Sequence, residues 1–172
     1  LGEVAVNGNP SVKKIDPSVK LRTPKVPEFD RLGEFPAGTK QILEKEGPDG
    51  LAKWVKDQKQ ILLTDTTWRD AHQSLLATRM RSLDMLKVAE GFAKNQPNVF
   101  SWEMWGGATF DVSMRFLNEN PWDRLKKMRA AAPNTLMQML FRGSNGVGYK
   151  AYPDNLIERF IEKSAENGMD VF

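Results

Sequence analysis

From residue 39 onward the apolar positions switch repeatedly between a helical and an extended period. Ahead of that point, residues 1 to about 36 hold five of the ten prolines among scattered Lys, Asp and Glu, the composition of an extended linker. Within it, Val4 and Val6 alternate with Glu3 and Ala5 before Asn7-Gly8, which predicts a short edge strand and a tight turn. From Thr39 the period is helical. Leu51, Trp54 and Val55 stand at i, i+3 and i+4, and Gly47-Pro48 separates this helix from the one before it. The expected division is a linker over 1–38, a helical lead-in over 39–60 and a larger unit over 61–172.

In the larger unit, Ile61–Thr64 reads as a buried strand. A helix opens at Ser82 with Met85, Val88, Ala89 and Phe92 on one face. A second strand is expected over about Val99–Met104, and a helix follows with Asn120 as N-cap and Pro121 at its first position. A third strand covers about Thr135–Leu140. Its helix carries Leu156, Ile157, Phe160 and Ile161 and ends before Gly168, and Met169–Phe172 starts a fourth strand. Alternating strands and helices with short connections predict a parallel α/β fold. A (β/α)8 TIM barrel usually takes about 250 residues, more than this chain has. The expectation is the first part of such a barrel: about three βα units and a fourth strand cut off in mid-run, a fragment inactive by itself.

The densest chemistry lies in Ile61 to Arg81, ILLTDTTWRDAHQSLLATRMR, where a strand runs into Asp65, Arg69, Asp70, His72 and Gln73. Barrel enzymes build their active sites at that end of the strands. Asp70 offers a hard oxygen suited to Zn2+, Mn2+ or Mg2+, or else it caps a turn. Arg142, in FRGSNG, can hold a small carboxylate bidentately, or else form a surface ion pair. His72, the one histidine, is expected to be packed and hydrogen-bonded rather than catalytic. Gly106-Gly107 and the GSNGVG stretch fit neither a P-loop nor a dinucleotide fingerprint, and are expected to serve tight loops or a ligand's close approach. Trp54 and Trp122 are expected in packing.

Composition narrows the field. The chain is 40% hydrophobic and 27% charged with a formal charge of +3, and its basic residues are spread out, so no nucleic-acid role is expected. With no cysteine there is no disulfide or thiolate chemistry. No apolar run approaches the ~18 residues of a membrane span, and the N-terminus lacks signal-peptide character. A soluble cytoplasmic protein is expected, or a mitochondrial-matrix one in a eukaryote.

Three strings occur in order: RDAHQSLLATR within the segment above, SWEMWGGATFDVSM from Ser101 to Met114, and QMLFRGSNGVGYKAYPDN from Gln138 to Asn155. The D-T-T-x-R-D core resembles a wide group of metal-dependent barrels. The longer strings resemble biotin-dependent carboxyltransferases, and within them the start of the carboxyltransferase barrel of the pyruvate carboxylase family. That resemblance implies carboxyl transfer from carboxybiotin to pyruvate, giving oxaloacetate. It assigns Asp70 to the metal, Arg69, Gln73 and Arg142 to pyruvate, and Asp111 and Tyr149 to the biotin ring system. Arg69 could equally brace the metal site, Asp111 could start a helix and Tyr149 could pack. The resemblance puts the remaining ligands, an H-x-H pair and a carbamylated lysine, and a proton-shuttling threonine beyond Phe172. It implies a biotin carrier domain and the rest of the same polypeptide as partners. ATP and acetyl-CoA dependence and a homotetramer are expected of the full-length enzyme. The alternatives are the α subunit of oxaloacetate decarboxylase, a related transcarboxylase subunit, or a non-catalytic interaction or linker fragment.

Overall fold

The structure, a computed structural model, describes residues 2–11, 16, 18 and 26–172. The elements are α1 (Gly2–Asn7), α2 (Thr39–Asp57), β1 (Thr64–Asp65), α3 (Asp70–Leu76), α4 (Ser82–Asn95) and β2 (Ser101–Trp105). There follow α5 (Thr109–Arg115), α6 (Pro121–Ala131), β3 (Leu136–Met139), a 3-10 turn over Gly143–Asn145, and α7 (Asp154–Glu166). Three parallel strands form one sheet in the order β1-β2-β3, and Val171 adds a parallel bridge to Gln138 where the fourth strand was expected.

Two expected strands come out differently. The edge strand around Val4 and Val6 is the helix α1. Gly8 adopts φ 80 and its N–H donates to Val4 O at 2.9 Å, so Asn7-Gly8 ends a helix instead of turning a hairpin. The first sheet strand is confined to Thr64–Asp65, with Phe100 N donating to Leu63 O just before it. Ile61 is 88% exposed and Leu63 65%, because no described element covers that outer edge. The apolar run there reports stickiness, not a buried strand. The Gly47-Pro48 break holds: Gly47 takes φ 70 and kinks α2. Asn120 caps α6, its side chain accepting from Trp122 N at 2.9 Å, with Pro121 in the first turn.

The helices bury one face of the sheet. Met85 and Ala89 of α4 and Leu125 and Met128 of α6 are fully buried with Trp102, Met104 and Met137 of the strands. Trp68 stacks on Trp102 with ring centroids 4.5 Å apart, and Trp105 packs edge-on against Trp122 at 5.1 Å. Trp122 therefore packs as expected, while Trp54 is half-buried. The opposite face of the sheet is polar. Thr64 Oγ1 lies 2.8 Å from Ser101 Oγ, which donates to Gln138 Oε1 at 2.7 Å, so one hydrogen-bonded row crosses all three strands.

The N-terminal ends of the strands are closed by the lead-in to α2. Thr39 Oγ1 donates to Phe100 O at 2.7 Å and accepts from Leu136 N at 3.2 Å, while Lys40 N donates to Asn134 O at 3.1 Å. The buried Asp170 carboxylate gathers Lys40 Nζ at 2.7 Å, Met137 N at 2.8 Å and the Arg129 guanidinium. One carboxylate thus joins the lead-in, α6, β3 and the residues after α7. All the chemistry-bearing residues lie at the other end of the sheet.

The start of α4 is held by a carboxylate distant in sequence. Glu119 accepts from Ser82 N at 3.1 Å, from Ser82 Oγ at 2.6 Å and from Arg124 Nη2 at 2.7 Å, placing negative charge at a helix N-terminus. Burial pushes the Glu119 carboxyl up, but the bonds from Arg124 and Ser82 outweigh it and hold the group below the usual 4.5. A depressed carboxyl contributes stability above its unfolded pKa and loses it as the pH falls through the folded one. Denaturation midpoints are therefore expected to fall as the pH drops below about 4.5. The Glu119→Gln protein should lose the part of that slope due to this group, with lower stability at neutral pH.

Candidate functional site at the C-terminal strand ends

Arg69, the residue before α3, is 4% exposed. Its Nη1 donates to Asp70 Oδ1 at 2.9 Å and to Gln73 Oε1 at 3.1 Å, and Nη2 pairs with Glu103 of β2. One turn of helix and one strand are thus tied to a single guanidinium. The bonds also orient the Gln73 amide. With Oε1 accepting from Arg69, Nε2 is left as a donor facing away from the arginine. Asp70 is half exposed, and no hydrogen bond among the described residues engages its second oxygen.

The strand β2 shapes this end of the sheet through a bulge. Glu103 pairs with Gln138, yet Trp105 pairs with Met139, so one residue of β2 is extra. The bulge turns Trp105 into the core and leads directly into Gly106-Gly107. A Cβ on Gly106 would sit 2.6 Å from Arg69 Nε, and one on Gly107 would sit 2.9 Å from Arg142 Cζ. The glycines had been expected to admit a ligand or a tight loop. What they admit here is two arginine side chains, one against each glycine. Arg142, which follows β3, is exposed and forms no ion pair or hydrogen bond among the described residues, so the surface ion pair is not seen.

His72 is buried and its Nε2 lies 2.7 Å from Trp68 O. A carbonyl only accepts, so Nε2 carries the proton. Burial holds the imidazole below its ordinary pKa against the raising effect of that hydrogen bond, with Arg124 and Arg69 also repelling a charge. His72 is a neutral, packed residue, as expected. It anchors the first turn of α3, which carries Asp70 and Gln73.

Asp111 and Tyr149 meet in a separate cavity of about 290 Å3, lined also by Phe110, Met114, Val147, Lys150 and Tyr152. Asp111 pairs with Arg115 at 3.3 Å on α5, while Tyr149 is exposed. The 3-10 turn holds the loop, with Gly143 at φ 62 and Tyr152 N donating to Ser144 O at 2.8 Å. Lys150 and Glu103 went unnoticed in the sequence. Glu103 had a readable signal, a carboxylate in the middle of the apolar strand Ser101–Trp105.

Among the described residues no group of three or more His, Asp or Glu side chains is arranged to hold a metal. Asp70 supplies one hard oxygen donor and no more. This chain's described residues therefore do not make a complete metal site. Among them, too, no helix is long and apolar enough to cross a membrane.

No protein-family model matches the chain. Over its whole length it is 54% identical, across 180 residues, to pyruvate carboxylase of Bacillus subtilis, of which it spans 15%. It is also 54% identical over 175 residues to mitochondrial pyruvate carboxylase of Rattus norvegicus, of which it spans 14%. The carboxyl transferase domain of Rhizobium etli pyruvate carboxylase, solved with pyruvate, aligns at a TM-score of 0.84 and 50% identity, covering 99% of this chain and 30% of that one. The same domain with oxamate and biotin aligns at 0.83 and 49%, covering 99% and 29%.

The Gly106-Gly107 contacts differ in how far the neighbour can yield. Arg69 is pinned by three partners, so Gly106→Ala is expected to destabilise the protein by about 1–3 kcal/mol through overpacking. Arg142 is free to swing away, so Gly107→Ala should stay within about 0.5 kcal/mol of the parent. Paired chemical denaturation curves measure both.

Proposed function

We propose that this chain, homologous over its whole length to a segment of pyruvate carboxylase, supplies the opening part of a (β/α)8 carboxyltransferase barrel and with it one wall of the pyruvate site. The reaction is carboxyl transfer from carboxybiotin to pyruvate, giving oxaloacetate. The observation that carries this reading is the pair of guanidiniums across Gly106-Gly107. One is locked on protein partners and the other, Arg142, has no partner among the described residues and is open to an anion.

The Arg142 guanidinium presents a planar fork to the pyruvate carboxylate. The Gln73 Nε2, turned outward by Arg69, donates to a substrate oxygen and strengthens its hold as charge moves there when the methyl proton leaves for the biotin nitrogen that has lost carbon dioxide. Arg69 positions both Gln73 and Asp70. Together these groups hold pyruvate so that its methyl carbon faces the carbon dioxide released from carboxybiotin. Asp111 and Tyr149, in their cavity beyond α5, would border the biotin ring system. The second oxygen of Asp70 would hold one position of a divalent cation, Zn2+, Mn2+ or Mg2+, whose remaining ligands lie outside the described residues. Such a cation supplies Lewis-acid polarisation of the ketone. The partners of this segment are the biotin carrier domain and the rest of its polypeptide, within an enzyme that also uses ATP.

Two substitutions in the full-length enzyme test the reading. Arg142→Lys keeps charge but loses the fork, and is expected to raise the KM for pyruvate by about tenfold or more, the worth of one charged hydrogen bond. An unchanged KM would remove Arg142 from the site. Asp70→Ala is expected to abolish pyruvate carboxylation and lower metal content while bicarbonate-dependent ATP cleavage persists. Full carboxylation by that variant would overturn the ligand assignment.

A further inference from the structure

The carboxyl-transfer reading uses Arg69, Gln73, Asp70 and Arg142 but leaves Glu103 unaccounted for. Its side chain is 8% exposed, on the polar face of β2, and pairs with Arg69 Nη2. Its other oxygen, Oε2, is buried with no hydrogen-bond partner among the described residues. A buried carboxylate is costly unless its charge is used, and here the use is evident from what lies opposite. Arg69 itself is buried, and Asp70, its other anionic partner, is half exposed.

We infer that Glu103 is a positioning residue for the substrate site, fixing the Arg69 guanidinium so that it holds the Gln73 amide with its donor toward pyruvate. The inference rests on the carboxyl-transfer reading above. Three contacts define the position of Arg69. Glu103 pulls Nη2 toward the sheet, Gly106 leaves room for the Nε edge, and Nη1 is thereby aimed at Asp70 and Gln73. Without the Glu103 charge, Asp70 becomes the only carboxylate bonded to Arg69. The guanidinium is then drawn toward the rim, and Nη1 no longer meets Gln73 Oε1 in a fixed geometry. A freed amide can rotate and present its oxygen to an anionic substrate, which repels it. Glu103 and the two glycines therefore read as one device over E-x-x-G-G. The carboxylate and the first glycine hold one arginine, and the second glycine gives room to the other.

Binding and chemistry should separate under this arrangement. Arg142 still holds the pyruvate carboxylate when Glu103 is changed, whereas the orientation of the reacting end is lost. In the full-length enzyme, Glu103→Gln is expected to lower kcat for pyruvate carboxylation about a hundredfold, the scale of a misplaced catalytic contact, while KM moves less than about threefold. Bicarbonate-dependent ATP cleavage should persist as the measure of an intact enzyme. Because Glu103 acts through Arg69, the Arg69→Gln/Glu103→Gln double variant should lose no more than the worse single variant. Should Glu103→Gln fail to fold with Arg69 unbalanced, Glu103→Asp, which keeps the charge but withdraws it by one methylene, carries the test by itself. It is expected to show the same fall in kcat at near-normal KM.

A parent-like kcat in Glu103→Gln, or in Glu103→Asp where that variant carries the test, would overturn the inference, as would additive losses or an effect confined to KM. Absence of pyruvate carboxylation in the unsubstituted full-length enzyme would instead sink the carboxyl-transfer reading, a separate result.

Discussion

A guanidinium buried at the end of a parallel sheet must have its charge balanced, and the candidate site is arranged around that requirement. Arg69 meets it with Glu103 from the strand, Asp70 next to it in the chain and Gln73 one turn along α3. Glu103 comes from the strand and Asp70 and Gln73 from the first turn of α3, so the guanidinium fastens helix to strand and fixes three polar side chains together. The bulge in β2 and the Gly106-Gly107 pair follow from the same requirement. A regular strand with side chains at those positions would occupy the volume that Arg69 and Arg142 take.

The two ends of the sheet divide the work. At the N-terminal ends, backbone and side-chain bonds from Thr39, Lys40 and Asp170 are mutually satisfied and lock the lead-in against the strands. At the C-terminal ends, donors and acceptors are left over among the described residues: the fork of Arg142, the amide nitrogen of Gln73 and one oxygen of Asp70. Parallel α/β folds place ligands at that end, where the loops can vary without disturbing strand pairing. Between the ends, the aromatic layer of Trp68, Trp102 and Trp105 makes the support stiff. Trp68 both stacks in the core and offers its carbonyl to His72, so the core and α3 cannot shift independently.

Much was readable from the order of residues alone. The alternation of strands and helices, the Gly47-Pro48 kink, the Asn120 cap and the cluster from Arg69 to Gln73 are set by neighbours within a turn or two, and local spacing reports such features faithfully. The packed state of His72 was likewise readable. Tertiary structure alone decided whatever joins distant segments. Glu103 is 34 positions from Arg69, and no periodicity links them. Asp111 and Tyr149 share a cavity only because the loop after β3 folds over the start of α5. The apolar run at Ile61 looked like a buried strand, yet burial depends on what covers an edge, which a single segment does not record. Asn7-Gly8 suits a hairpin turn and a helix end equally, since both need a left-handed glycine, and the preceding residues decide between them by hydrogen bonds that only the folded chain makes.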